Sequence, residues 1–184
     1  MLYVMGGAVA LLFSFLITLE KAKLAVDPSY IPPCNVNPFI SCGTVMLTPQ
    51  ASAFGFPNSL IGIAGFAALI TIGVVLLVGT RLPRWFWLAL QAGTTFAVAF
   101  IFWLFFQSVY RIGTLCPYCM VVWAMTIPVF WYTTLHNLQE GHVRLSEGLS
   151  SLLCRFHAWF LALLYLLIVA AIGVHFWSYW QTFL

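Results

Sequence analysis

The sequence predicts an all-α membrane protein of five transmembrane helices, and three observations carry that prediction. Mean hydropathy is +1.03, and 63% of the 184 residues are hydrophobic. Charged residues make up 6%, where a soluble globular domain has about a quarter. Five apolar runs, 1–19, 60–78, 85–106, 116–135 and 156–177, each approach the ~20 residues that a helix needs to cross ~30 Å of hydrocarbon. An odd number of crossings puts the two ends on opposite faces. With no internal repeat or low-complexity segment, residues 1–184 read as one membrane domain. The few basic side chains form no run that would point to a nucleic-acid surface, and no nucleic-acid partner is expected.

The first run has no basic leader and no Ala-x-Ala site, and it exceeds the ~7–15 residues of a signal-peptide core, so it reads as a retained span. A cytosolic basic tail ahead of it would lie outside this numbering. Residues 20–59 then form a connection far longer than the ~2–8 residues that join most bundle helices, and long loops of this kind carry function. Within it Pro32, Pro33 and Pro38 fix φ and push the residues before them out of the helical region. Cys34 and Cys42 therefore flank a tight excursion. Residues 49–54 read as one short helix, with Phe54 and Phe56 lying in the interface as a lid.

Asn58 or Ser59 is available to cap the second span. Arg81 and Arg84 follow it, and Trp85 and Trp87 mark an interfacial belt. Ala89, Gly93 and Ala97, four residues apart in the third span, predict a small-residue face for helix packing. Gln107, Ser108, Tyr110 and Arg111 make the polar turn before the fourth span. Residues 136–155, with Glu140, Arg144 and Glu147, read as a solvated loop, and the fifth span ends in an aromatic girdle of Trp177, Tyr179 and Trp180.

Two crossings separate Cys34 and Cys42 from Cys116 and Cys119, so all four sit on one face and Cys154 sits on the other. Disulfides persist in oxidising compartments, which puts the pairs outside and Cys154, read as inert, inside. The basic residues vote the same way: Arg81, Arg84, Arg144 and Arg155 on the inner face against Lys21, Lys23 and Arg111 on the outer.

The stretch Cys116-Pro117-Tyr118-Cys119 carries the chemistry. Proline is favoured at the first helical position, and the residue before it is excluded from the helix, so Cys116 is the natural N-cap. The N–H groups of Tyr118 and Cys119 then point at its sulfur, and the helix N-terminus stabilises its thiolate, with Arg111 adding to the effect. Cys119 lies nearly one turn deeper and faces lipid. Such a pair can pass two electrons from water-soluble thiols to a lipid-borne acceptor by thiol–disulfide exchange, and a quinone is the membrane carrier of that size and electron count. Structural disulfides are the competing reading, evenly balanced for Cys34 and Cys42 and weaker for Cys-x-x-Cys. A zinc site is disfavoured by the Cys-x7-Cys spacing, and haem attachment fails because Met120 rather than His follows Cys119. His136, His142, His157 and His175 share no ligand-like spacing, and no metal is expected.

Cys34 and Cys42 separated by seven residues, the stretch 54–59 leading into the second span, and Cys116-Pro117-Tyr118-Cys119 opening the fourth together resemble the bacterial homologues of vitamin K epoxide reductase, the actinobacterial type in particular. The resemblance covers nearly all of the first four spans. Disulfide bond protein B has the reverse order, with Cys-x-x-Cys in its first loop. The resemblance implies a four-helix bundle around a quinone with the fifth helix outside it. By that similarity Cys34 exchanges with an extracytoplasmic thioredoxin-like partner, Cys42 passes electrons to Cys116, and Cys119 faces the quinone. Asn58 matches a polar residue that hydrogen-bonds the quinone carbonyl, while Trp123 stands where many animal members carry a tyrosine. Some bacterial members have a fused thioredoxin-like domain; here a separate partner is expected. The resemblance favours menaquinone over ubiquinone.

The expected activity is that of a quinone-dependent thiol oxidase in the plasma (inner) membrane, with its active cysteines on the extracytoplasmic side. It reoxidises a thioredoxin-like disulfide oxidant and so supports disulfide bond formation. The alternatives are reduction of a quinone epoxide by dithiols, and a non-catalytic membrane scaffold with two structural disulfides.

Overall fold

The computed structural model describes residues 1–143, 145–177 and 181. Its helices are α1 (Leu2–Val26), α2 (Cys42–Met46), α3 (Asn58–Leu77), α4 (Arg84–Phe106), α5 (Pro117–Gln139), α6 (Glu147–Arg155) and α7 (His157–His175), with a 3-10 turn at Pro49–Ser52 and a π-turn at Gln107–Ile112 that continues α4. Five of these, α1, α3, α4 with its π-turn, α5 and α7, are long and apolar enough to cross a membrane. Strand pairing among the described residues is limited to isolated bridges.

Packing runs in sequence from α3 to α1, from α1 to α5 and from α5 to α4, which makes a four-helix bundle; α7 rests against its outside with no buried residue of its own. Close approach between α1 and α3 depends on glycine. A Cβ on Gly62 would stand 2.7 Å from Ser14 Oγ, and one on Gly73 would stand 3.0 Å from the backbone nitrogen of Val4. The small residues of α4 behave differently from the packing face the sequence predicts. Ala89, Gly93 and Ala97 line a cavity between α3 and α4, and a Cβ on Gly93 would meet nothing within 4 Å.

Helix α1 has 25 residues, about 38 Å at 1.5 Å per residue, and so projects beyond the expected end at residue 19. That extension includes Glu20, Lys21 and Lys23. Glu20 is buried yet satisfied: Lys23 Nζ donates to it at 2.9 Å and the Tyr30 hydroxyl at 2.7 Å, which ties the first loop to the helix end.

Helix α5 contains Pro128. A proline inside a helix has no N–H to offer the carbonyl four residues back, and in hydrocarbon an unsatisfied carbonyl is costly. Here the Tyr165 hydroxyl of α7 donates to that carbonyl, Ala124 O, at 2.6 Å. At the end of the bundle remote from the paired cysteines, the fully buried Asn137 donates to Trp87 O, Gln91 Oε1 and Thr133 O, and its Oδ1 pairs with His142 Nδ1 at 3.1 Å. Gln91 in turn donates to Thr134.

Three further expectations, on helix limits and caps, need correction. The stretch 136–155 is no simple loop: α5 persists to Gln139, and α6 forms because Ser146 precedes a start with Glu147 in the first turn and Arg155 in the last, matching the helix dipole. Neither Asn58 nor Ser59 caps α3, whose N-cap is Pro57; the Asn58 side chain reaches back into the preceding loop instead. The short helix expected over 49–54 is a 3-10 turn ending at Ser52. Phe54 lies beyond it and packs on Phe100 with ring centroids 5.5 Å apart. Arg144, Tyr179 and Trp180 lie outside the described residues.

Candidate active site

The first loop is shaped by short side chains that hold backbone. Asn37 Oδ1 accepts from the N–H groups of Phe39 and Ile40, Asn35 Oδ1 from Gly43 N–H, and Ser41 Oγ caps α2 by accepting from Thr44 N–H. Cys42 begins that helix, and its sulfur is bonded to Cys34, the Cα atoms 5.7 Å apart.

A backbone bridge then joins this loop to the approach of α5. Leu115 N–H donates to Phe39 O at 2.8 Å and Ser41 N–H donates to Leu115 O at 2.9 Å. The next residue on each side is a cysteine. Cys116 Sγ lies 3.3 Å from Cys42 Sγ, and both residues are fully buried.

Cys116 occupies the N-cap of α5 with Pro117 behind it, and its sulfur accepts from Cys119 N–H at 3.4 Å, the local geometry that the Cys-Pro order predicts. The Cys116 thiol is held below its ordinary range, chiefly by the hydrogen bond from the Cys119 side chain, against burial, and further by the N–H groups of Cys119 and Tyr118. Cys119 belongs to two packed clusters at once, one holding Cys34, Cys42 and Cys116, the other holding Ile101, Trp123 and Ile127. It joins the sulfurs to the bundle interior. The side chain faces a cavity within the bundle rather than the surrounding lipid.

That cavity measures about 550 Å³ and is lined by α1, α3, α4, α5 and the loop ahead of α3. Its walls are apolar along α3 and α4 and polar near the cysteines, where Asn58, Gln50, Lys21, Gln107, Ser108 and Cys119 meet it. An apolar volume with a few convergent polar groups and one thiol fits a small aromatic ring on a hydrocarbon tail.

A model of the vitamin K epoxide reductase family matches residues 1–134 of the 184. The chain belongs to that family. No curated protein matches it. Vitamin K epoxide reductase family membership makes this a multi-pass membrane thiol–disulfide oxidoreductase, of a family that uses quinones as redox partners and works in general with thioredoxin-like proteins. The matched segment ends inside α5, so α6 and α7 are outside it.

Within this vitamin K epoxide reductase fold the structure brings together Cys34, Cys42, Cys116 and Cys119, and it puts Asn58 and Trp123 in the cavity wall beside Cys119. Asn58 is held by Nδ2–H donating to Gln50 O at 2.7 Å and by Ala53 N–H donating to Oδ1 at 3.0 Å. Trp123 packs edge-on against Phe105 at 5.7 Å. Cys154 sits on α6, away from all of these. Lys21 has no role legible in the sequence, where it resembles ordinary loop charge; its Nζ donates to Ser52 Oγ at 2.6 Å and Ala51 O at 3.2 Å, which fixes the 3-10 turn over the cavity. Gln107 and Ser108 read as part of a polar turn, and only the π-turn brings them to the cavity.

Proposed function

We propose that this protein is a quinone-dependent thiol oxidase of the actinobacterial type. It is a single domain over 1–184, set in the plasma membrane with the loop 20–59 and all four active cysteines on the extracytoplasmic side. It reoxidises a thioredoxin-like disulfide oxidant and delivers the electrons to a membrane quinone, menaquinone rather than ubiquinone. The observation that carries this reading is the unbroken run of sulfur from loop to cavity: Cys34 bonded to Cys42, Cys42 at 3.3 Å from Cys116, and Cys116 capping the helix turn whose Cys119 lines the cavity.

The partner's thiolate attacks Cys34, the outer sulfur of the loop pair, and the electron pair of the broken bond goes to Cys42. The partner's second thiolate releases Cys34 and leaves as a disulfide. Cys42 then attacks Cys116 of an oxidised Cys116–Cys119 pair and Cys119 departs as thiolate; Cys34 attacks Cys42, restoring the loop disulfide and freeing Cys116. Depression of the Cys116 pKa makes it a good leaving group. Cys34–Cys42 bonded with Cys116 and Cys119 free is the pairing this relay would leave. Closure of the Cys116–Cys119 dithiol to a disulfide would release two electrons and two protons, which a quinone in the cavity would take up. Asn58 would hold one quinone carbonyl, and Trp123 would flank the ring.

Replacing Cys119 with Ala tests this reading. In purified protein supplied with dithiothreitol and a menaquinone analogue, quinone reduction is expected to fall by at least about 1,000-fold, the scale of losing a covalent catalytic group. A wild-type rate would overturn the mechanism. In cells depleted of quinone, Cys116 and Cys119 should accumulate as thiols; if all four cysteines stayed oxidised, the disulfides would be structural.

A further inference from the structure

Most polar side chains around the cavity are already occupied within the protein. Thr48, Thr94 and Thr126 donate to carbonyls of their own turns, Lys21 is held by the 3-10 turn, and Ser59 accepts from Thr18. Two neighbours on one wall are different. Ser108 is 3% exposed and lines the cavity with Gln107; neither side chain has a hydrogen-bond partner among the described residues, and their polar atoms are open to the cavity, not sealed within the protein. The next turn of the chain holds them in place. Val109, fully buried, packs with Leu115 and Phe176, and the π-turn ends at Gly113, whose φ of +68° suits glycine and whose N–H donates to Ser108 O. Ala97, Ile101, Leu104 and Ser108 recur at helical spacing along the cavity wall, so an apolar stripe ends in a hydroxyl as α4 gives way to α5.

Asn58 approaches from α3, on the opposite wall, and one of its amide N–H bonds remains after Gln50 O is served. Ser14 and Gln50, whose side chains are also unbonded, lie on that same side with α1 and the 3-10 turn. A para-quinone carries two carbonyls at opposite ends of its ring, and both become hydroxyls on reduction, so a site that holds it in one orientation needs donors on two walls.

We propose that Ser108 and Gln107, brought into the cavity by the π-turn, bind the quinone carbonyl remote from Asn58. The proposal rests on the reading that a quinone occupies this cavity. The two donors fix which carbonyl lies near Cys119 and steady the ring as it takes up two electrons and two protons from the Cys116 and Cys119 thiols, which become a disulfide.

The test is infrared difference spectroscopy on the full chain with 2-methyl-1,4-naphthoquinone carrying carbon-13 at C1 or at C4. Two separately lowered carbonyl stretches are expected in the wild-type protein. The Ser108→Ala/Gln107→Leu double variant should return one of them toward its free value and leave the other lowered, with the quinone KM raised about two- to tenfold for each donor lost. If one carbonyl is already unshifted in the wild-type protein, the inference falls without any variant being made. Retention of both shifts in the double variant overturns it equally. Absence of quinone binding to the wild-type protein would remove the underlying reading as well, which separates the two failures.

Discussion

The two ends of the α4–α5 pair put polar side chains to opposite uses. At the far end Asn137, Gln91, Thr133, Thr134 and His142 satisfy one another almost completely, and none of these five lines the cavity. At the cysteine end Gln107 and Ser108 precede the buried Val109, and their side chains meet the cavity with no partner among the described residues. A polar group away from water costs free energy unless it is hydrogen-bonded. The first end meets that cost internally and so contributes stability; the second keeps its polar atoms open to the cavity.

The contrast can be broken from either side. The largest effect is expected at the far end: Asn137→Leu strands Gln91 and His142 and should destabilise the protein by about 2 kcal/mol, roughly a 30-fold shift in the folding equilibrium. Thermal unfolding in detergent measures this, and turnover per folded molecule should stay near wild type. Equal losses of turnover and stability would mean that the two ends are not separable.

At the cysteine end, the hydrogen bonds aimed at Cys116 lower its pKa, so its thiolate forms at lower pH than that of a free thiol near ~8.5. As pH falls, this thiolate should therefore be lost at lower pH than an ordinary thiol's. Ultraviolet thiolate absorbance of protein with Cys34–Cys42 bonded and Cys154 replaced by Ser follows this directly. Cys119→Ala, which removes the main stabilising bond, should move the first titration upward; an unmoved profile would assign the effect elsewhere.

The smallest effect concerns Lys21. Lys21→Met removes the donors to Ala51 O and Ser52 Oγ and loosens the turn that positions Gln50 O against Asn58. The quinone KM should rise about threefold, with a smaller change in kcat, the size expected for one or two modest hydrogen bonds; steady-state kinetics with a soluble naphthoquinone measures it.

Much of this arrangement is legible in the sequence, for reasons that are local. Span length and hydropathy define the five crossings, parity puts both cysteine pairs at one end, and proline geometry alone makes Cys116 a cap. The hidden part depends on long-range contact or on ambiguous residue types. The Phe39–Leu115–Ser41 bridge that brings Cys42 to Cys116 is made of main-chain groups and leaves no mark on side-chain identity. Ala89, Gly93 and Ala97 mislead because smallness serves two ends, close helix approach and empty space; in this bundle Gly62 and Gly73 serve the first and the α4 residues the second. Helix α6 escapes a sequence reading because its charges resemble loop solvation until their positions at opposite helix ends are weighed.

Pro128 carries a consequence for the order of the molecule. The proton that proline lacks leaves one carbonyl on α5 open, and a single tyrosine hydroxyl on α7 finds it. Lipid offers no competing donor, and sliding α7 by one residue along α5 would leave both groups unpaired in hydrocarbon. The last helix, which buries nothing of its own, therefore takes its register from a missing atom on its neighbour.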